Sequence, residues 1–128
     1  MRAFILMALM SIMSAPAMAE WVRLGSTNSL TFYADPATIR KRGNLVKMWF
    51  MDDFKDYHDS PTKPYRSTKG QDEYDCEGEQ IRGVHLTSFS ESMGRGDTVN
   101  QYNDVGKWNP VAPSSSGETM WKFACGVK

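Results

Sequence analysis

The sequence has few cysteines, few histidines and no excess of charge of either sign, and each shortage limits what the protein can do. Its 128 residues include 2 Cys and 2 His, with 15 basic and 15 acidic side chains. A chain without net positive charge gives no reason to expect nucleic acid or anionic lipid as a partner. The length suffices for one domain and is too short for two ordinary ones.

The chain also lacks an apolar stretch of the ~20 residues that a membrane-spanning helix needs. Its longest apolar stretch, from Phe4 to Met13, is interrupted by one serine, and Pro16 follows where a spanning helix would have to continue. A single-pass membrane anchor is therefore the weaker interpretation of this segment, and no membrane span is expected after it.

A secretory signal peptide explains the same segment better. Arg2 supplies the positive start, the apolar stretch follows, and Ala17-Met18-Ala19 is a small-x-small cleavage sequence. We predict that residues 1–19 are removed between Ala19 and Glu20, and that residues 20–128 form one exported domain. The expected location is the periplasm, with the cell surface or secretion as alternatives.

Both cysteines, Cys76 and Cys125, lie after the predicted cleavage site. Export delivers them to an oxidising compartment, where a disulfide persists. Closing the loop between them would stabilise the fold by roughly 4 kcal/mol on the chain-entropy model. The sequence therefore predicts a Cys76–Cys125 disulfide, and two buried free thiols are the alternative.

Alternation of apolar and polar residues predicts an antiparallel sheet of about six strands. The Asp35-Pro36 pair is expected to end the second strand, because proline cannot donate to a ladder, and residues 37–40 to form a helical turn. The third strand carries apolar side chains on both faces, which predicts a strand covered on both sides. Residues 55–66 are predicted as a polar loop. The predicted strands are 21–24, 30–34, 45–54, 69–76, 80–90 and 98–103.

The last part of the chain is predicted to be a helix of about ten residues. Ser115-x-x-Glu118 has the spacing of a capping box. Trp121 and Cys125 lie four residues apart and share a helix face, and Gly126 is placed to end the helix. The expected fold class is α+β, an antiparallel sheet with this helix packed on one face.

No catalytic, metal-binding or phosphate-binding motif is recognisable. His58 lies within an acidic stretch at 52–59, but the spacing matches no cation-binding loop, so a solvated hairpin loop is the preferred interpretation. His85 is expected to be structural, because no nucleophile accompanies it in a known motif. We predict a non-enzymatic protein without cofactor or metal. A haem- or metal-binding carrier, or an enzyme using His58 or His85, is the third alternative.

Aromatic and basic residues near the same loop are the candidates for protein binding. Tyr57 and Tyr65 are aromatic side chains that can anchor a partner, and Lys63 and Arg66 can meet an acidic surface. The alternative is that the tyrosines cover the end of the sheet and the basic residues form a solvated face.

Several segments together resemble the surface-adhesin protein E-like family of exported proteins from Gram-negative bacteria. The resemblance covers essentially all of the chain after residue 20. The segments are Trp21-Val22, Phe32 to Arg40 (FYADPATIR), Gly43-Asn44, Val46 to Trp49 (VKMW), Glu73 to Cys76 (EYDC), Ile81-Arg82, Trp108, and Gly117-Glu118 with Cys125.

This resemblance implies an antiparallel sheet with a C-terminal helix, and a disulfide that joins the same two cysteines. It also implies an adhesin that binds host extracellular-matrix and serum proteins and that can form a homodimer. The chain departs from a lipid-anchored adhesin, because no cysteine lies near the cleavage site. The alternative function is a periplasmic structural or accessory protein that binds another envelope protein through an exposed sheet edge.

Overall fold

The computed structural model describes residues 20–128, so the predicted signal peptide lies outside the described residues. Six strands form an antiparallel meander in which each strand pairs with the next along the chain. A two-residue seventh strand pairs with the fifth. The elements are β1 (Val22–Ser26), β2 (Leu30–Arg42), β3 (Leu45–His58), β4 (Tyr65–Asp75), β5 (Gln80–Phe89), a 3₁₀-helix (Ser92–Gly94), β6 (Thr98–Tyr102), β7 (Asn109–Pro110) and α1 (Ser116–Cys125).

β2 continues through the Asp35-Pro36 pair, so the predicted strand end and helical turn at this point are wrong. The pairing with β3 shifts register here instead of stopping. The Asp35 carboxylate accepts a hydrogen bond from the Ala37 N–H at 3.1 Å. The Thr38 hydroxyl donates to the Asp35 carbonyl at 2.6 Å and accepts from the Trp49 N–H at 2.9 Å. Side chains thus replace the backbone hydrogen bonds that are missing around Pro36, and β2 accommodates the proline as a β-bulge.

The β3–β4 hairpin is longer than predicted. Because β3 extends to His58 and β4 begins at Tyr65, the predicted polar loop at 55–66 shrinks to residues 59–64. His58 pairs directly with Tyr65 after an irregular stretch of the ladder. Cross-strand aromatic pairs of this kind stabilise a sheet, and this pair extends the hairpin into a stretch of polar sequence.

The hydrophobic core lies between one face of the sheet and α1. Alternate residues of neighbouring strands contribute to it, as period-two side-chain direction requires. Its buried members are Phe32, Ala34, Val46, Met48 and Tyr74 from the sheet, and Met120, Trp121 and Ala124 from the helix. The predicted packing of a C-terminal helix on an antiparallel sheet is confirmed.

α1 is held at both ends in the way that the sequence predicts. The Ser115 hydroxyl accepts a hydrogen bond from the Glu118 N–H at 3.1 Å. Gly126 ends the helix in the left-handed conformation, with φ 68° and ψ 30°. The Cys76–Cys125 disulfide is confirmed, with Cα atoms 5.6 Å apart. It ties the end of α1 to the residue that follows β4.

The opposite face of the sheet carries no α-helix in the described part of the chain. The 3₁₀-helix and the sheet's own long side chains cover it. The Lys69 ammonium lies 5.7 Å from the ring centroid of Trp21 and 5.4 Å from that of Phe89. The rings of Trp49 and His85 stack at 5.9 Å. The third strand is therefore covered on both sides, as predicted, although by different means on each.

Candidate binding site at the end of the β3–β4 hairpin

The structure places all four predicted binding residues at one end of the sheet. Tyr57 is near the end of β3, Lys63 is in the connecting loop, and Tyr65 and Arg66 begin β4. The Tyr57 side chain is 61% exposed, which makes it one of the most exposed aromatic residues of the described chain. An aromatic side chain left in water contributes little to the core, so its surface is available to a partner.

Tyr57 and Arg66 form a pair. The Arg66 guanidinium carbon lies 5.4 Å from the centroid of the Tyr57 ring, within the range of a cation–π contact. The Arg66 Nε also donates to the Phe54 carbonyl oxygen at 2.6 Å, which fixes the side chain against the strand. The pair therefore presents a planar, amphipathic surface with one positive charge. We call Tyr57 and Arg66 the hairpin patch.

Tyr65 supports the patch through an aromatic cluster. Its ring stacks with the His58 ring at a centroid distance of 5.5 Å and meets the Phe54 ring edge-on at 5.8 Å. The Phe54 and His58 centroids are 4.1 Å apart. The contribution of Phe54 and His58 to this site was not predicted from the sequence. The cross-strand pairing of His58 with Tyr65 becomes evident only when the irregular register of the hairpin is known.

The loop that carries Lys63 is tied to the neighbouring part of the sheet. The Lys63 ammonium forms an ion pair with the Asp97 carboxylate at 3.0 Å, and the Ser60 hydroxyl donates to the Lys63 carbonyl at 2.6 Å. The Thr62 hydroxyl donates to the Val99 carbonyl at 3.4 Å. Lys63 is thus engaged within the chain, and Arg66 is the basic residue of the predicted set that lies beside an exposed aromatic ring.

The acidic stretch around His58 is divided by strand alternation. Asp52 faces the helix side of the sheet, whereas the Asp53 carboxylate accepts a hydrogen bond from the Met93 N–H at 2.9 Å. Asp56 and Asp59 are exposed. Residues 20–128 contain no group of three or more His, Cys, Asp or Glu side chains arranged to hold a metal ion.

His85 and Trp108 have structural contacts on the face opposite α1. The His85 Nδ1 lies 2.9 Å from the Asn103 Oδ1, and the ring stacks on Trp49. The Trp108 ring lies 4.4 Å from the Arg82 guanidinium carbon, and Arg82 forms an ion pair with Glu73. Both aromatic groups cover the sheet in these contacts.

A family model described as surface-adhesin protein E matches residues 21–126. The chain belongs to this family. The matched segment contains the seven described strands and the whole of α1, together with both disulfide-bonded cysteines.

Solved structures of protein E from Haemophilus influenzae are similar to the chain in fold. One is 14% identical with a TM-score of 0.64, and the alignment covers 86% of each chain. A second crystal form is 12% identical with a TM-score of 0.61, covering 86% of this chain and 97% of the other. Protein E from a non-typeable strain is 14% identical with a TM-score of 0.58, covering 86% and 78%. At these identities the likeness establishes the fold alone.

No curated protein sequence matches the chain significantly. Among residues 20–128, no helix has the length and apolar character needed to cross a membrane.

Proposed function

We propose that residues 20–128 form an exported, non-enzymatic protein-binding domain, and that the hairpin patch is its contact surface. Membership of the surface-adhesin protein E family supports a binding role. The observation that carries the choice of surface is the exposed Tyr57 ring beside the anchored Arg66 guanidinium. Tyrosine and arginine are the residue types that dominate the energetics of protein interfaces, because they combine apolar area with directed polar groups.

The partner that fits this patch is a host matrix or serum protein, or a protein of the bacterial envelope, with an acidic group beside an apolar surface. The guanidinium recognises a carboxylate through paired hydrogen bonds. The Tyr57 ring supplies rigid apolar area at low entropic cost. Export is part of the proposal, with residues 1–19 as the signal peptide and cleavage between Ala19 and Glu20.

The proposal is tested by the location of the protein and by its binding. The full precursor is expressed in its native host, the mature N-terminus is determined by mass spectrometry, and intact cells are treated with protease. We expect the mature chain to begin at Glu20. Removal of the protein from intact cells would place the partner in the host. Protection until the outer membrane is breached would place it in the envelope.

Binding is measured with purified residues 20–128 on immobilised matrix and serum proteins, and on purified envelope proteins. Tyr57→Ala is expected to weaken binding at least tenfold with an unchanged melting temperature. Tyr102→Ala is the matched control, because Tyr102 on β6 is 59% exposed and lies on a different strand. Equal binding by wild type and Tyr57→Ala would contradict the proposal that the hairpin patch is the contact surface.

The free edge of β6 carries a second candidate function. Among the described strands β6 pairs only with β5, so its other edge, apart from the Val99 carbonyl that accepts from Thr62, offers backbone groups that can pair with a partner strand. Loss of binding in Tyr102→Ala, with Tyr57→Ala unaffected, would favour this edge and a structural or accessory role in the envelope.

A further inference from the structure

Two half-buried aspartates face the helix side of the sheet without a partner. Asp52 on β3 and Asp72 on β4 accept no hydrogen bond and form no ion pair within residues 20–128. Burial raises the pKa of Asp52 to about 6. Burial and then the charge of Asp52 raise the pKa of Asp72 to about 7. A buried carboxylate is costly unless it takes up a proton or meets a positive charge.

Both carboxylates line a cavity of about 150 Å³ under the N-terminal end of α1. Its apolar walls are Phe32, Phe50 and Met120. A second cavity of about 210 Å³ shares Phe50 and Asp72 with the first and adds Asp104. Three carboxylates therefore follow one another along the two adjacent cavities. The other titratable groups that line the second cavity are His85 and Tyr102, and no lysine or arginine lines either cavity.

A buried tyrosine hydroxyl without a partner lies on the same face of β4 as Asp72. Tyr74 follows Asp72 by two residues on β4, so both side chains project toward the helix. The Tyr74 side chain is 0% exposed, and its hydroxyl has no hydrogen-bond partner among the described residues. Burial, and then the charges of Asp72 and Asp52, raise the pKa of Tyr74 well above the usual value. Buried hydroxyls without partners are rare in folded proteins.

The separation of the two aspartates decides what kind of cation fits. Asp72 pairs with Met48, and Asp52 lies four residues further along β3. At about 3.4 Å per residue, their Cα atoms are roughly 14 Å apart along the strands. One metal ion cannot contact both carboxylates at about 2.0–2.6 Å over that separation. A molecule with two cationic ends and an apolar middle can pair with both carboxylates and place its middle against the apolar walls.

We propose that the cavities bind a linear aliphatic diamine or polyamine, with ammonium groups at Asp72 and Asp52 and the methylene chain against Phe50. The Phe50 ring lies between the two carboxylates in the register of the sheet. An ammonium group gains both from the carboxylate and from a nearby ring face. A cavity of 150 Å³ holds roughly six non-hydrogen atoms, judged from the size of cavity that accepts benzene. A triamine extends a third ammonium toward Asp104.

The test is calorimetric titration of residues 20–128 at pH 8 with 1,5-diaminopentane, spermidine, butylamine and Mg²⁺. We expect one diamine per chain, bound at least tenfold more tightly than butylamine and unaffected by millimolar Mg²⁺. Asp72→Asn is expected to weaken diamine binding at least tenfold. Asp56→Asn is the matched control, because it removes the same charge from an exposed position on β3 and should leave binding unchanged.

Asp104→Asn is expected to weaken spermidine binding while leaving the diamine unaffected. Binding of the diamine should also fall as the pH is lowered from 8 to 5, because Asp72 and then Asp52 take up protons. The proposal is overturned if butylamine binds as tightly as the diamine, if Asp56→Asn weakens binding as much as Asp72→Asn, or if neither amine binds. The hairpin patch is unaffected by any of these outcomes, since it uses neither aspartate.

Discussion

Gly70 lies directly beneath the ring of Phe50, its cross-strand partner on β3. A Cβ atom at Gly70 would lie 2.6 Å from the Phe50 Cζ and 2.6 Å from the backbone oxygen of His85. The ring thus occupies the space that a side chain on β4 would fill. In the register of the sheet this ring lies between the two unpartnered aspartates.

Gly70→Ala is expected to lower the free energy of unfolding by about 1–3 kcal/mol, because the new methyl group meets both a ring and a backbone atom. Urea denaturation of residues 20–128 measures the change. Gly83→Ala is the matched control on the facing strand. Its Cβ would meet only the Asp72 Oδ1, at 3.7 Å, which is an ordinary contact. Equal losses in both variants would contradict the steric explanation.

Cys76→Ser and Cys125→Ser are each expected to lower the free energy of unfolding by about 2–5 kcal/mol. Either substitution releases the end of α1 from the residue after β4. Reducing agent should destabilise the wild type by a similar amount and leave both variants unchanged. A thiol assay on the denatured, unreduced wild type should find no free thiol, and two free thiols would refute the disulfide in solution.

The stability of the fold is expected to fall as the pH rises from about 4 to 7. Asp52 and Asp72 ionise near pH 4 in the unfolded chain but only near pH 6 and 7 in the fold. The unfolded state therefore loses protons first and gains stability relative to the fold across this interval.

Asp72→Asn should consequently be more stable than wild type by about 2 kcal/mol at pH 8 and similar to it at pH 4. Asp56→Asn, which replaces an exposed carboxylate of β3, should follow the wild-type profile. Thermal unfolding at a series of pH values provides the measurement. Parallel profiles for wild type and Asp72→Asn would show that Asp72 ionises normally in the fold.

Ser115→Ala is expected to cost about 1 kcal/mol of stability, because its hydroxyl accepts from the Glu118 N–H and donates to the Ala112 carbonyl. Ser116→Ala, one residue further along, makes the same chemical change at an exposed position and should cost less than half as much. Chemical denaturation of both variants under identical conditions separates the cap from the general effect of losing a hydroxyl.

The order of the elements and the helix could be predicted because their signals are local. Strand alternation depends on neighbouring residues, and the cap at Ser115 and the end at Gly126 lie within one short segment. The two cysteines also sufficed to predict the disulfide, because no other pairing within the chain is available to them. Each of these features is decided by residues whose partners are evident from the sequence.

The course of β2 past Pro36 could not be predicted, because Thr38 replaces the missing backbone bond only when Trp49 of the neighbouring strand is in place. The hairpin patch was predicted as a set of residues, but not as a pair. The contact between Tyr57 and Arg66 depends on an irregular register that no local signal reveals. The unpartnered state of Asp52 was hidden for the same reason, because the acidic stretch around it suggested a solvated loop.

The meander has a consequence for the order in which the chain folds. Every strand from β2 to β6 pairs with its predecessor, so the sheet can grow one hairpin at a time. Cys125 follows every strand in the sequence, whereas Cys76 becomes available after β4. The disulfide can therefore form only after every strand of the sheet has been synthesised. An enzyme that forms this bond therefore acts on a chain in which all the strands are already present.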